Sequence, residues 1–263
     1  MNSIKTRVLL SLDDECPYQC RHCYTYELPS SKHRSIEEIV ESISNERFDI
    51  VYVSQKTENF ASPCTGLELC EKIFDTYKCN IMIITRNVFL AQDLSRLISL
   101  FKRMRESGKT LFVGCSVIGL ESACISERAD LIPSSMERIS FLKNLYNRGI
   151  PALLLIRPLF PNSIVPNAEI ERLVDMAAGN VSCIVTGPLM VNDYILDRLS
   201  INHDELSYVL DGDSEYLSGA IAEIMEFVNV LPEIEHLKKY CDSKCIPIFT
   251  HSMPAINYLH DLK

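Results

Sequence analysis

The chain has 263 residues, of which 47% are hydrophobic and 23% charged, a composition typical of globular domains rather than disordered or fibrous chains. Its formal net charge of -9 argues against the broad basic surface that nucleic-acid binding requires. No apolar run approaches the roughly 18 residues of a membrane span, and the first residues lack the apolar core of a secretory signal. We therefore expect a cytoplasmic protein without membrane contact, whose 11 cysteines are reduced thiols or metal ligands.

Short apolar, β-branched runs alternate with longer segments of helical period, which predicts βα units around a parallel sheet. The predicted strands are Arg7–Leu12, Asp49–Ser54, Asn80–Thr85, Leu111–Val117, Ala152–Arg157 and Ser182–Thr186. The predicted helices are Ser35–Asn45, Leu67–Tyr77, Leu90–Glu106, Ser134–Arg148 and Ala168–Ala177. Ser35 is placed as a helix N-cap, and Gly108 and Gly149 stand where a C-terminal glycine belongs. The fold class that follows is α/β, a partial (β/α)6 barrel of the TIM type.

The order of elements after Thr186 is less regular. The sequence predicts, in order, a loop at Gly187–Asp193, a polar stretch at Asn202–Ser214, helices at Tyr216–Val228 and Pro232–Cys241, and an apolar run at Ile246–Thr250 that could add a strand. No linker is evident, so we predict a single domain over residues 1–263. Its core covers about 6–190, and a small helical addition covers about 191–263.

Three cysteines follow the first predicted strand, in the segment Cys16-Pro-Tyr-Gln-Cys20-Arg-His-Cys23-Tyr24. Thiolates at positions i, i+4 and i+7 of a loop can converge on one [4Fe–4S] cluster. Protein-held clusters usually take four thiolates, so three leave one iron open to another ligand. The alternative is a structural zinc site made of these cysteines with His22 or another residue.

The other cysteines receive different predictions. Cys70, Cys79, Cys115 and Cys183 lie in apolar segments and are predicted to be core residues. Cys64 is the only other thiol predicted to lie near the site. Cys241 and Cys245 are too few for a second cluster, and whether they have a metal role stays open.

The spacing CxxxCxxC followed by an aromatic residue resembles the signature of the radical S-adenosylmethionine (SAM) superfamily. The resemblance implies that Cys16, Cys20 and Cys23 hold a [4Fe–4S] cluster and that SAM chelates the open iron. It further implies that an electron from the cluster cleaves SAM into methionine and a 5′-deoxyadenosyl radical, which abstracts hydrogen from a substrate. An external electron donor such as flavodoxin or ferredoxin is implied as a partner.

Later segments resemble the branch of that superfamily that contains spore photoproduct lyase. The matching segments are the turn VYVSQKTENF, the strand end IITR, the strand LFVGCS and the proline-rich turn that begins at Arg157. The resemblance implies SAM contacts from Tyr24, Ser54, Thr57, Arg86, Ser116, Arg157 and Leu159, with Leu159 over the adenine. The chain departs from the pattern in lacking a Gly-Gly-Glu motif after the second strand. It also lacks a cysteine in the QKTEN turn, where that lyase keeps its hydrogen-donating thiol.

Polar side chains follow several predicted strands, at the end of an α/β barrel where functional groups gather. The candidate substrate-site residues are Glu58, Asn59, Glu121, Tyr194 and His251, for each of which ordinary loop solvation is the alternative. The predicted function is radical SAM chemistry on a small-molecule, peptide or protein substrate, with nucleic acid disfavoured. The alternatives are a DNA photoproduct lyase-like repair enzyme, an activase for a glycyl-radical enzyme and, without catalysis, a zinc-stabilised binding protein.

Overall fold

A computed structural model describes residues 3–12, 15–27, 34–54, 56–209 and 225–262 of the chain. Its strands are β1 (Arg7–Leu10), β2 (Ile50–Val53), β3 (Asn80–Thr85), β4 (Leu111–Ser116), β5 (Ala152–Leu159), β6 (Cys183–Pro188), β7 (Met190–Val191), β8 (Glu226–Phe227) and β9 (Ile248–Phe249). Seven of them form a parallel sheet in the order β1-β2-β3-β4-β5-β6-β9, and β7 pairs with β8 antiparallel. The described sheet is open and does not close into a barrel.

Helices connect the strands and pack on both faces of the sheet. Their bounds are α1 (Ile36–Ser42), α2 (Pro63–Tyr77), α3 (Ala91–Glu106), α4 (Ser135–Tyr146), α5 (Asn167–Ala177), α6 (Asp193–Leu199), α7 (Leu231–Ser243) and α8 (Ser252–Asp261). None of the described helices is long and apolar enough to cross a bilayer.

The predicted α/β fold is confirmed, with strand β3 at the predicted bounds and the other five shifted by one or two residues at their ends. The apolar run near the C-terminus does form a strand, because β9 pairs with β6 through Ile184 and Ile248. The C-terminal segment therefore extends the sheet as well as adding helices.

The C-terminal third also departs from the sequence prediction in two places. Residues 216–224 of the predicted helix Tyr216–Val228 lie outside the described residues, and its described end contains strand β8 instead, so the prediction is wrong there. Helix α6 was not predicted. Its side chains Ile195, Leu196 and Leu199 are buried, but its seven residues give the helical period too few repeats to stand out.

Local signals at the helix ends agree with the sequence. Ser35 and Glu38 form a capping box at α1, and Ser134 and Glu137 form another at α4. Gly149 has φ of 74°, a left-handed conformation that glycine adopts without a Cβ clash, and it ends the α4 segment. These caps fix where the chain turns from each helix towards the next strand.

The sheet has an apolar core on each face. The larger core includes buried side chains of helices α1 to α7, and the smaller one lies on the opposite face of the sheet, here called the inner face. Helix α8 fills the lower part of the inner face by packing Ala255, Ile256 and Leu259 against Tyr52 and Leu153. Asn257 fastens this helix to the N-terminal segment through reciprocal hydrogen bonds with the backbone of Ile4, at 2.8 and 3.0 Å. Helix α8 thus leaves the carboxyl ends of the strands as the open part of the inner face.

The packing of α8 predicts the effect of shortening Ile256, which is fully buried. Ile256→Ala should lower the free energy of unfolding by about 2–4 kcal/mol, because it removes buried methylene groups and leaves a cavity. Leu262→Ala is the matched control, since Leu262 follows the same helix and is 66% exposed. Denaturant unfolding that shows equal losses for the two variants would contradict the placement of α8.

Candidate active site at the carboxyl ends of the strands

A cavity of about 200 Å³ opens on the inner face at the carboxyl ends of the strands. Side chains alternate between the two faces of a strand, so the residues that point inward recur at every second position. Ile84 and Arg86 of the β3 end, and Leu155 and Arg157 of β5, accordingly line the cavity. Its wall is apolar, and its rim carries Lys56, Arg86 and Arg157. Among the described residues that line it, none carries a carboxylate.

The three cysteines of the CxxxCxxC loop lie together beside this cavity. Cys23 lines it, Cys20 is buried, and Cys16 is half-buried. Cys16, Cys20 and Cys23 pack around a small apolar cluster formed by Tyr18 and Ile132. Each thiol lies within electrostatic range of the other two. The loop that follows β1 therefore delivers all three sulfur atoms to the open end of the inner face.

Burial sets the protonation of two of these thiols. Burial raises the pKa of Cys20 to about 12, although the Arg86 guanidinium lowers it in part. Burial also raises the pKa of Cys16, against hydrogen bonds from the backbone N–H groups of Tyr18 and Glu58. Both groups are thiols at neutral pH in the metal-free protein, so metal binding there must release protons.

A cluster makes different demands on its protein ligands from a single metal ion. Within the described ranges, no three His, Cys, Asp or Glu side chains stand close enough together to hold a single metal ion. A cubane cluster binds one thiolate at each of three separate iron atoms, so its three thiols need not converge on one point. Three gathered thiols, a nearby guanidinium and backbone N–H groups directed at Cys16 fit such a cluster chemically.

Arg86 lies at the junction of the cysteine loop and the cavity. Its Nη2 donates to His22 Nε2 at 3.1 Å, and its Nε donates to Glu127 Oε1 at 3.1 Å. Its guanidinium is within electrostatic range of both Cys20 and Cys23. The predicted site residue Arg86 is therefore next to the predicted cluster ligands.

His22, between the last two cysteines, has both ring nitrogens occupied. Burial lowers its pKa well below the usual value, and Arg86 and Arg198 lower it further, so the ring is neutral. Because Nε2 accepts from Arg86, the proton resides on Nδ1 and is donated to Ser126 Oγ at 2.7 Å. A zinc site that uses His22 as its fourth ligand would have to break one of these bonds and bring a metal cation towards a guanidinium. The arrangement disfavours that alternative.

The sequence analysis did not identify the buried ion pair of Glu127 and Arg138, to which Arg86 is bonded. Glu127 accepts hydrogen bonds from Arg138 Nη1 at 3.0 Å and from Nη2, and Arg138 also donates to the Ser116 carbonyl. Arg138 is 1% exposed. The signal was present in α4, where Arg138 falls on the buried face with Ser135, Ile139 and Leu142, because an arginine on a core face needs a buried acceptor.

Arg198 of α6 was also missed. Its Nε donates to the Arg21 carbonyl at 3.0 Å, and its Nη2 donates to the Cys23 carbonyl at 2.8 Å. The unpredicted helix therefore fastens the backbone of the cysteine loop at Arg21 and Cys23.

Three other predicted SAM contacts, Tyr24, Ser116 and Arg157, line the cavity as well. Ser116 Oγ donates to the Arg157 carbonyl at 3.0 Å, which joins the ends of β4 and β5. The Arg157 side chain lies flat against Gly187, where an added Cβ would approach its Nε to 2.8 Å. Only glycine at position 187 therefore leaves room for this guanidinium inside the cavity.

The remaining predicted SAM contacts lie elsewhere. The Ser54 hydroxyl donates to the Thr57 carbonyl and accepts from the Asn59 N–H at 2.9 Å, so it closes the turn after β2. Thr57 Oγ1 contributes to the same turn through a 3.3 Å bond to Asn59. Leu159 is 1% exposed and packs in the large core on the helix side, away from the cavity lining.

Two of the substrate-site candidates serve the turn after β2. Glu58 accepts from the Thr85 hydroxyl at 2.8 Å, the Phe60 N–H at 3.1 Å and the Arg86 N–H at 2.6 Å, so it fastens the turn to the end of β3. Asn59 Oδ1 accepts from the Leu12 N–H at 3.1 Å, while its buried Nδ2 has no hydrogen-bond partner among the described residues. Both residues support the cysteine loop rather than line the cavity.

The other three candidates are spread around the open end. Glu121 is 64% exposed at its side chain, pairs with Arg172, and lines a separate outer groove of about 810 Å³. Tyr194 is 65% exposed on α6. His251 is half-buried at the N-cap of α8, next to Ser252, which lines the cavity. The structure does not bring these three together with Glu58 and Asn59 into one pocket.

The cysteines outside the loop follow the prediction in part. Cys70, Cys79, Cys115 and Cys183 are buried, as predicted for core residues. Cys64 is exposed, and its sulfur accepts from Arg96 at 3.3 Å on the outer helices. Cys241 is buried in the large core, whereas Cys245 is exposed.

The bonding of Glu58 yields a prediction. Glu58→Gln should lower the free energy of unfolding by about 1–3 kcal/mol, since an amide NH₂ group would face one of the three donors. Burial raises the pKa of Glu58, so the folded wild type binds its proton more readily than the unfolded chain. The stability advantage of wild type over the variant should therefore grow as the pH falls from neutral towards the ordinary glutamate value.

Urea unfolding across that pH range measures both effects. Glu121→Gln is the control, because an exposed ion pair contributes at most about 1 kcal/mol. A Glu58→Gln protein as stable as wild type at neutral pH would show that this carboxylate does not hold the turn.

No protein-family model and no curated protein sequence matches the chain. The fold does match solved structures. Streptococcus suis SuiB bound to S-adenosylmethionine aligns over 95% of this chain with a TM-score of 0.59 and 12% identity, and the chain spans about half of SuiB, 51%. A spore photoproduct lyase variant with bound AdoMet and dinucleoside spore photoproduct aligns over 92% of this chain and 75% of its own, with a TM-score of 0.61 and 10% identity.

At identities this low, the structural likeness establishes a common fold and nothing further. This common fold confirms the architecture that the resemblance of the cysteine loop implies. The chain has the fold of SuiB and spore photoproduct lyase.

Proposed function

We propose that the chain is a radical SAM enzyme that holds a [4Fe–4S] cluster on Cys16, Cys20 and Cys23 and SAM in the inner cavity. The observation that carries this proposal is the position of the three-cysteine loop, which lies at the open end of the sheet and contributes Cys23 to the cavity lining. The fold supports it, because SuiB is solved with S-adenosylmethionine and spore photoproduct lyase with AdoMet.

The cavity lining suits the parts of SAM. Guanidinium groups recognise carboxylates in a two-pronged geometry, and Arg86 is the one beside the cysteine loop. Ser116 donates its proton to the Arg157 carbonyl, so its oxygen is left as an acceptor that suits the SAM amino group better than its carboxylate. The apolar wall of Met82, Ile84 and Val185 suits the adenosine portion.

When bound, the cluster would supply the electron that cleaves SAM into methionine and a 5′-deoxyadenosyl radical. The side chains of this protein would position the substrate and shield the reacting atoms from water. Radical abstraction requires the target hydrogen close to the 5′ carbon, so fixed side chains matter more than acid–base strength. The apolar wall keeps water away from the reacting end, and α8 closes the floor of the inner face.

For the substrate we retain a small molecule, a peptide or a protein. SuiB is also solved bound to its precursor peptide SuiA, which supports a peptide. DNA repair of the photoproduct type is the second candidate, favoured by the spore photoproduct lyase structures that contain a dinucleoside. The net charge of -9 and the missing cysteine in the turn at 54–59 weigh against it. An external donor such as flavodoxin or ferredoxin, and a cytoplasmic location, belong to the same proposal.

The cluster ligands give the decisive test. Cys16→Ala, Cys20→Ala and Cys23→Ala should each lose 5′-deoxyadenosine formation after anaerobic reconstitution and reduction with SAM, and should retain less iron. Cys70→Ala and Cys183→Ala are the controls, because both side chains are buried in the core and should affect stability alone. Undiminished SAM cleavage by Cys20→Ala would refute the proposal.

The role of Arg86 in holding SAM is tested separately. Hydrogen bonds to charged groups contribute about 1.5–3 kcal/mol, so Arg86→Ala should weaken SAM binding on the order of tenfold to a hundredfold. Calorimetric titration of the reconstituted protein measures the affinity. Arg103→Ala is the control, since Arg103 forms an exposed ion pair with Asp75 on the outer helices. Equal affinities for wild type and Arg86→Ala would remove Arg86 from the SAM site.

A further inference from the structure

The Glu127 carboxylate is shared between two guanidinium groups. Arg138 donates to both of its oxygens, and Arg86 Nε donates to Oε1 at 3.1 Å. The Glu127 side chain is 4% exposed and that of Arg138 is 1% exposed, whereas that of Arg86 is 23% exposed. Arg138 is fixed in turn by the Ser116 carbonyl and by Ser135 Oγ. The bonds therefore run from helix α4, through Glu127, to the end of β3.

Arg86 carries this arrangement to the cysteine loop. Its Nη2 donates to His22 Nε2 at 3.1 Å, and its charge lies within electrostatic range of Cys20 and Cys23. Arg86 lines the inner cavity and Glu127 lines the outer groove, so the pair forms part of the wall between them. A substitution at Glu127 can therefore change the electrostatic effect of Arg86 on the cysteines without adding or removing a side chain in the cavity.

We propose that Glu127 is a positioning residue that sets how strongly the Arg86 charge acts on the iron–sulfur cluster. The inference rests on the proposed function. A cation near a cluster favours the reduced, more negative state and so raises the reduction potential, and a carboxylate bonded to that cation offsets the effect. Glu127 holds Arg86 against the His22 side of the loop and neutralises part of its charge.

The test is an anaerobic redox titration of the reconstituted protein without SAM, followed by electron paramagnetic resonance. Glu127→Gln keeps the shape and removes the negative charge, so the potential should shift upward. Arg86→Gln removes the cation and should shift it downward, while Arg86→Lys keeps the charge and should stay nearer to wild type. If the ion pair only stabilised the fold, replacing its two partners would not shift the reduction potential in opposite directions.

Glu169 provides the matched control. It is 6% exposed and holds the same loop between β4 and α4, by accepting from the Leu120 N–H, from the Ser122 N–H at 2.9 Å and from the Ser122 hydroxyl at 2.6 Å. No described hydrogen bond links it to Arg86 or to the cysteine loop. Glu169→Gln should lower the midpoint of thermal unfolding and leave the potential unchanged.

Glu127→Gln leaves Arg138 without a charged partner and could therefore fail to fold. In that case Glu127→Asp is the variant to titrate. The shorter carboxylate stays with Arg138 and withdraws from Arg86, so the potential should again rise. An unchanged potential in the Glu127 variants, or an equal shift in Glu169→Gln, would overturn the inference while leaving the proposed function intact. A wild-type protein that assembles no cluster would overturn both.

Discussion

One carboxylate, that of Glu127, joins the parts of the site that come from different regions of the chain. Burying a charge is costly unless it is paired and hydrogen-bonded, and breaking a buried pair by removing one partner typically costs about 3–5 kcal/mol. Glu127 meets that requirement with two guanidinium groups, one from α4 and one from the end of β3. The partly exposed Arg86 is thereby held by a carboxylate that is almost completely buried and is itself fixed by the buried Arg138.

The cysteine loop depends on this anchoring because it has little regular structure of its own. Its backbone is fastened by the Arg21 N–H to the Ser126 carbonyl at 2.8 Å and by Arg198 to the carbonyls of Arg21 and Cys23. His22 adds side-chain bonds to Ser126 and Arg86. A loop held by these bonds keeps its sulfur atoms near one another, so it would lose less conformational entropy on binding the proposed cluster.

The parts of the structure that the sequence predicted are those with a periodic or local signal. Strand β3 and the capped helices α1 and α4 could be read from apolar period and capping residues, and the cysteine loop from its spacing. Short elements such as α6 gave too few repeats. Glu127 and Arg198 carry no pattern at all, since their importance arises from partners about 10 to 180 residues away. Glu58 stays a predicted substrate contact, and the structure adds a role that the sequence does not reveal, because its carboxylate fastens the turn after β2 to the end of β3.

The two ends of the inner face are built from different elements, and this separates the surroundings of the cysteine loop from the shape of the floor. The open end is formed by strand ends and by the cysteine loop, with Gly187 leaving room for Arg157. The floor is formed by α8, which meets the cavity through Ser252, itself bonded to the Tyr52 hydroxyl at 3.1 Å. Gly114 contributes from the middle, since a Cβ there would come within 2.8 Å of Met82 and Leu155. A change in α8 would therefore alter the depth of the cavity while leaving the bonds of Arg86, Glu127 and His22 in place.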